Sequence, residues 1–276
     1  MELTKDINGI YLNGNTKSTI ETQFSAELQD EYFDVEDNSW WFSYKYEVIR
    51  YFSDIFFKKV LKTYDIGGGN GYIAGRLTKY GYDMALIEPA YEACVNARRR
   101  GVPCCINGSI EDVDFDICQC TCLDVLEHVE DDNSFLSSIY YRMPKGGRII
   151  LTVPAFMSLW SSEDVKLGHF RRYNRKGLYD LFESNGFRVL YSSYFFSFLY
   201  IPIWLIRVML EKLKISKRSE ELSFDENARR EANQHKRRKG IVSFVLKCFE
   251  GVEMYFLRRN IRLLFGSSVI VVAEKK

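Results

Sequence analysis

Net charge is almost absent from this sequence: 38 Lys and Arg stand against 37 Asp and Glu in 276 residues, a balance of +1. No global field therefore draws the chain to nucleic acid or to acidic surfaces, and a charge-based partner has to be met locally. The seven cysteines include no C-x-x-C pair and no neighbouring histidine, which argues against a structural zinc site. Instead Cys118, Cys120 and Cys122 alternate with Ile117, Gln119 and Thr121, a period of two that expects all three as small buried hydrophobes on one face of a strand. The start, MELTKDINGI, has no basic stretch followed by an apolar one, so no signal peptide is expected. With an odd number of thiols, the expected home is the reducing cytoplasm. No apolar run reaches the uninterrupted length of about 20 residues that a membrane span needs, and there is no internal repeat or low-complexity tract.

What is present is ordinary globular material, 46% hydrophobic and 27% charged, with aromatics at 15%. Apolar runs of strand length recur at Leu61–Ile66, Met84–Ile87, Val102–Ile106, Ile117–Leu123, Arg148–Val153, Phe187–Tyr191 and Ser267–Ala273. Most are followed by a glycine turn or a charged stretch suited to a helix, such as Tyr72–Lys79 before Gly81. That alternation expects an α/β fold with a mainly parallel sheet and helices on both faces. Two regions fall outside it. Residues 1–58 gather Trp40, Trp41, Phe42, Tyr44 and Tyr46 ahead of any such run and continue with Val48, Ile49, Phe52, Ile55 and Phe56 at helical spacing, which expects an N-terminal helical cap. A long insert, 194–265, separates the last two runs and far exceeds the usual connection of about 2–6 residues. The expected organisation is a cap (1–58), a core (59–193), a helical insert (194–265) and the last strand (266–276).

The run Tyr64-Asp65-Ile66-Gly67-Gly68-Gly69-Asn70-Gly71 places a glycine-rich turn between a strand and a helix, where backbone N–H groups and the positive helix end can meet a ligand. The next strand ends at Glu88, an acid suited to two ribose hydroxyls in the same crevice. Gly69-x-Gly71-x-x-Ala74 also satisfies the dinucleotide pattern on spacing. Asp65 favours another ligand, since a carboxylate aimed into the loop repels a pyrophosphate and attracts an ammonium such as that of S-adenosylmethionine.

The chain resembles the class I S-adenosylmethionine-dependent methyltransferases over most of residues 61–193. The resemblance rests on five motifs in family order: Asp65–Gly71, Leu86-Ile87-Glu88-Pro89, Asn107-Gly108-Ser109-Ile110-Glu111-Asp112, Leu123-Asp124-Val125-Leu126-Glu127-His128-Val129, and Pro144–Pro154. It implies a Rossmann-like seven-stranded sheet whose last strand is antiparallel. It also implies S-adenosylmethionine bound by Asp65, Gly67, Gly69, Gly71, Glu88, Pro89, Ser109, Ile110, Glu111, Asp124 and Leu126, with no metal. Ser109 stands where the family usually has an Asp for the adenine amino group, leaving Glu111 or Asp112 as substitutes.

For the acceptor side, His128 follows the fourth core strand and His169 lies in a loop after the fifth; either is a candidate catalytic base or a bystander, and His235 reads as exposed. The segment from Trp160 through Arg171, Arg172 and Tyr173 resembles the substrate loop of methyltransferases of bacterial surface-glycan biosynthesis, and the Trp40-Trp41-Phe42 element resembles the aromatic entry motif of the same group, with packing of the cap onto the sheet as its other reading. Aromatic faces such as Trp41 and Trp160 can stack on rings, and the Arg171 or Arg172 fork can grip a phosphate or carboxylate. The implied acceptor is a small molecule or glycan precursor, lipid-linked in one version. A quinone-type ring, a non-catalytic cofactor-binding module and a nicotinamide-dependent oxidoreductase stand as alternatives. In the insert, Phe195–Leu210 is apolar but broken by Pro202 and Arg207, and Lys212–Lys239 is net basic. A peripheral membrane contact through 195–264 at the inner face of the membrane, a lid over the site, and a homodimer contact are three readings of it.

Overall fold

The structure is a computed structural model that describes residues 3–13, 26–212 and 240–276. Its sheet is built from β1 (Leu3–Lys5), β2 (Tyr11–Asn13), β3 (Thr63–Ile66), β4 (Met84–Glu88), β5 (Cys104–Asn107), β6 (Gln119–Leu123), β7 (Arg148–Pro154), β8 (Phe187–Phe195) and β9 (Ser268–Lys275). The spatial order is β1-β2-β5-β4-β3-β6-β7-β9-β8. Strands β5, β4, β3, β6 and β7 pair in parallel, and β9 is antiparallel to both β7 and β8. The chain runs outward from β3 through β4 to β5 and then returns to place β6 on the other side of β3. That reversal opens a crevice at the carboxyl ends of β3 and β6, the usual ligand position of open α/β sheets.

The expected seven strands are therefore present, but among the described residues the sheet has nine. The N-terminal region is not helical throughout: β1 and β2 form an antiparallel hairpin, and β2 joins the sheet edge in parallel with β5 through Tyr11↔Ile106. Its turn is fixed by the Asp6 carboxylate, which accepts from the Asn8 and Ile10 N–H groups, and by Gly9 at φ 76°. Asn-Gly is a hairpin signal in the sequence, yet three-residue strands are too short to register as a period-two pattern.

Behind the hairpin come α1 (Ala26–Asp37) and α2 (Trp40–Phe56). Ser39 caps α2 by accepting from the Phe42 N–H, and the helix buries Tyr44, Val48, Ile49 and Phe52. Those positions recur every three or four residues, so one stripe faces the sheet; Phe52 meets Tyr191 of β8 with ring centroids 4.7 Å apart. Burying one such ring stabilises by about 1.5–3 kcal/mol. The other helices are α3 (Tyr72–Lys79), α4 (Tyr91–Arg99), α5 (Asp132–Arg142), α6 (Ser162–Lys166), α7 (Arg175–Ser184), α8 (Ser197–Lys212) and α9 (Ile241–Arg258). All five residues of β4 are buried, as expected of a strand covered on both faces. Cys120 and Cys122 are buried as expected, but Cys118 is exposed, because β6 begins only at Gln119.

The insert begins after β8, which runs on to Phe195, and α8 continues through Pro202. Glu253 of α9 is buried and ties insert to cap: it accepts from the Phe196 N–H at 2.7 Å, the Ser197 N–H at 2.6 Å and the Tyr44 hydroxyl at 2.7 Å. The outer faces are bare, with Ile201, Trp204, Leu205 and Ile206 of α8 and Ile241, Phe244, Phe249 and Val252 of α9 exposed. A lid would bury Phe198, Leu205 and Leu264. Phe198 packs on the core, but this chain leaves Leu205 and Leu264 open to solvent. The basic stretch from 213 to 239 lies outside the described residues. Among the described residues, no helix is long and apolar enough to cross a membrane.

Candidate active site

The glycine loop leaves β3 at Ile66 and enters α3 at Tyr72. Asp65 is buried beneath it, accepting a 2.7 Å hydrogen bond from the Thr121 hydroxyl of neighbouring β6. Gly68 is required by this arrangement: a Cβ there would lie 2.3 Å from Asp65 Oδ2 and 2.6 Å from Leu86 Cδ1. Gly69 adopts φ 53°, and a Cβ on it would meet nothing within 4 Å, so the loop presents bare backbone to open space. Glu88, at the end of β4, faces the loop from the side: Oε2 accepts from the Gly69 N–H and Oε1 from the Ala90 N–H, both at 2.9 Å. Burial pushes the Asp65 carboxyl up to about 6 against the Thr121 hydrogen bond and the Lys45 charge. Burial likewise pushes Glu88 up to about 7 against its two backbone hydrogen bonds, with the Asp65 charge adding to the rise.

Lys45 of α2, which sequence reasoning missed, is buried in the same crevice. Its ammonium pairs with Asp124 and lies 5.0 Å from the Trp41 ring centroid. Asp124 sits at φ 55° just beyond β6 and also accepts from the Thr152 hydroxyl at 2.9 Å, so it is committed within the fold. The signal for Lys45 was its place on the apolar face of α2, four residues after Trp41 and four before Ile49.

On the β5 side the expected adenine contacts change. Ser109 caps the short turn Ile110–Asp112, and its N–H and hydroxyl both donate to Asp112 Oδ2, at 2.7 and 2.9 Å. Asp112 is thereby occupied as a cap, which weakens it as an adenine ligand, while Glu111 is exposed. Ile110 and Leu126 are fully buried, so only their backbone can face a ligand.

Across the crevice, the turn after β6 meets the loop that follows β7. The Phe170 N–H donates to the Glu127 carbonyl at 2.7 Å and brings the His128 and His169 rings edge to face, with centroids 4.7 Å apart. Asp164, also missed, organises this side: Oδ2 accepts from the Ser161 N–H in a capping box, and Oδ1 accepts from Arg172 Nε at 2.6 Å and meets His169 Nδ1 at 3.0 Å. Burial alone would push its carboxyl up, but the His169 and Arg172 contacts outweigh that and hold it at about 2. Burial and the neighbouring His169 push His128 down to about 4. Glu127 is buried with Oε2 lacking a partner among the described residues, and burial followed by the Asp124 charge pushes its carboxyl well up.

Both guanidinium groups expected to grip the substrate are ion-paired within the fold, with the Arg171 side chain still 29% exposed. Arg172 is held by Asp164, while Arg171 pairs with Asp132 at 2.8 Å and donates to the Glu130 carbonyl. Tyr173 is buried and its hydroxyl reaches Asp132 at 2.9 Å. Trp41 stacks on Phe196, with centroids 5.2 Å apart and planes 5° from parallel, as part of the cap's own packing. Trp160 is partly exposed after the short turn Met157–Leu159.

Residues 38–192 match the family model of the methyltransferase domain. The chain belongs to this methyltransferase family. Its fold is that of solved methyltransferases of low sequence identity. One is an S-adenosylmethionine-dependent methyltransferase of Thermotoga maritima, at TM-score 0.52 and 17% identity over 92% of this chain and 97% of that one. A second was solved with the Trm112 methyltransferase activator of Haloferax volcanii, at TM-score 0.54 and 13% identity over 90% and 94%. The chain also spans 48% of the length of a Haemonchus contortus phosphoethanolamine N-methyltransferase 2 solved with S-adenosyl-L-methionine, at TM-score 0.47 and 13% identity over 78% of this chain. No curated protein matches in sequence. Family membership removes the nicotinamide-dependent alternative.

The residues fit S-adenosylmethionine as the cofactor. The open backbone at Gly69 admits close approach, Glu88 offers a carboxylate at the strand end for a ribose diol, and Asp65 supplies buried negative charge beneath the loop. A sulfonium and an ammonium are matched by that charge, and a pyrophosphate is opposed by it.

Proposed function

We propose that the chain transfers the methyl group of S-adenosylmethionine to an acceptor held between the cofactor crevice and the His128–His169 pair. The observation that carries this reading is the placement of both at one sheet edge: the cofactor loop follows β3, and Glu127 and His128 follow its neighbour β6. Methyl transfer is an in-line displacement whose acceleration comes largely from holding donor and acceptor in near-attack geometry. Gly67, Gly69, Gly71 and Glu88 fix the donor. The Asp164 contact occupies His169 Nδ1 and leaves Nε2 for the acceptor, and His128, neutral at physiological pH, lies beside it.

The acceptor we assign is a small molecule or glycan precursor with an apolar tail. The exposed apolar faces of α8 and α9 support the tail, since surface of that kind is covered in use by lipid or by another apolar partner. A peripheral position at a membrane follows from the same observation, and the homodimer is the competing cover. A methyl-label assay over surface-glycan intermediates and quinone-type phenols tests the reading. His169→Ala should lower turnover while leaving S-adenosylhomocysteine affinity within about twofold, because the side chain touches only the acceptor side. Cofactor binding without transfer to any acceptor would instead indicate the non-catalytic module.

A further inference from the structure

Glu127, His128 and His169 converge where the turn after β6 meets the loop that follows β7. One carboxylate oxygen and one nitrogen from each ring lie within 4.8 Å of one another. Asp164 holds His169 Nδ1 at 3.0 Å, and the His128 ring bonds the Leu167 carbonyl. A ring nitrogen fixed to a carboxylate or carbonyl leaves the opposite nitrogen as an oriented lone pair, the arrangement found around metal-bound histidines. Glu127 adds an independent observation, since the residue is 1% exposed and its Oε2 has no hydrogen-bond partner among the described residues. A polar atom buried without a partner calls for one, and a bound cation is a partner that this oxygen could take.

We propose that Glu127, His128 and His169 form a binding site for one divalent transition-metal ion of the zinc, manganese and iron class. Two imidazoles and one carboxylate favour these ions over magnesium or calcium, which prefer all-oxygen shells. Bound at about 2.0–2.2 Å, the ion draws the three side chains together by torsional adjustment and keeps open positions on the side away from the protein ligands. The cations that oppose it are Lys45 and Arg172, whose charges both act on Glu127. Each is already paired, Lys45 with Asp124 and Arg172 with Asp164, so their repulsion is partly offset. An oxygen of the acceptor is the natural occupant of the open positions; that last clause rests on the proposed methyl transfer, whereas binding of the ion does not.

The test uses the full chain, stripped with chelator, in a Cys118→Ser/Cys248→Ser background that removes the two exposed thiols. Titration with Zn²⁺ should show one equivalent bound, Co²⁺ should give d–d absorption bands of a nitrogen- and oxygen-ligated ion, and excess Mg²⁺ should not compete. His128→Gln and His169→Gln should each weaken Zn²⁺ binding at least tenfold while S-adenosylhomocysteine affinity and thermal unfolding stay near the parent values. No stoichiometric Zn²⁺ or Co²⁺ binding, or binding unchanged in both variants, overturns the site. Because the readout is metal binding itself, that result would leave the cofactor assignment standing, and loss of S-adenosylhomocysteine binding in the parent would leave the metal site standing.

Discussion

Glu88 should make cofactor binding pH-dependent in a way that can be calculated. Its carboxyl sits at about 7 in the ligand-free fold, because burial outweighs the hydrogen bonds from Ala90 and Gly69. A ribose diol donates to the ionised form, so binding must take the proton off. At pH 6 that deprotonation costs about 1.4 kcal/mol and at pH 8 less than about 0.1 kcal/mol, so S-adenosylhomocysteine affinity should rise about tenfold between the two. Calorimetry in buffers of different ionisation heat should show a proton released at pH 6. Glu88→Gln should lose about 1–3 kcal/mol of binding at pH 8 together with that slope. Stability runs the other way. A carboxyl raised from 4.5 to about 7 stabilises the fold fully below pH 4.5, and that contribution is lost as pH rises through 7. Ligand-free Glu88→Gln should therefore unfold with a flatter pH dependence from 5 to 8 than the parent. A wild-type affinity that is flat from pH 6 to 8, or a slope that survives in Glu88→Gln, would refute the ribose role.

Three further outcomes are expected. Gly68→Ala drives a Cβ into Asp65 and Leu86 and should cost about 1–3 kcal/mol of stability and most of the cofactor affinity; a variant with parental melting and binding would contradict the loop geometry. Asp164→Asn removes a buried anion from Arg172 and His169, so thermal unfolding should show a loss of about 3–5 kcal/mol, and parental stability would remove Asp164 as the organiser of that loop. If lipid covers α8 and α9, the chain should co-sediment with anionic vesicles, and Phe244→Asp/Phe249→Asp should abolish it; a concentration-dependent dimer with no vesicle binding would assign the faces to a second copy.

The core was legible because its punctuation is local. Helix α3 falls on the expected residues, Tyr72–Lys79, since Gly71 and Gly81 bracket it, and the parallel strands stand out as apolar runs. The hairpin of Leu3–Lys5 and Tyr11–Asn13 was not legible, since each strand has three residues and gains its place only by pairing with β5. In the candidate site, Asp65, the glycines, Glu88 and His128 could be named from motif order, and His169 from its loop after the fifth core strand. Lys45 and Asp164 could not, because their roles depend on partners 79 and 8 residues away. Arg171 and Arg172 looked free for the same reason: Asp132 and Asp164 reach them only after folding.

The cofactor cradle carries the account, and a calorimetric titration of the purified chain at pH 8 tests it most directly. One equivalent of S-adenosylhomocysteine should bind, with no heat from NAD, and the Glu88→Gln variant should bind S-adenosylhomocysteine at least about fivefold more weakly. Tight NAD binding with no response to S-adenosylhomocysteine, or equal affinity in the variant, would contradict it.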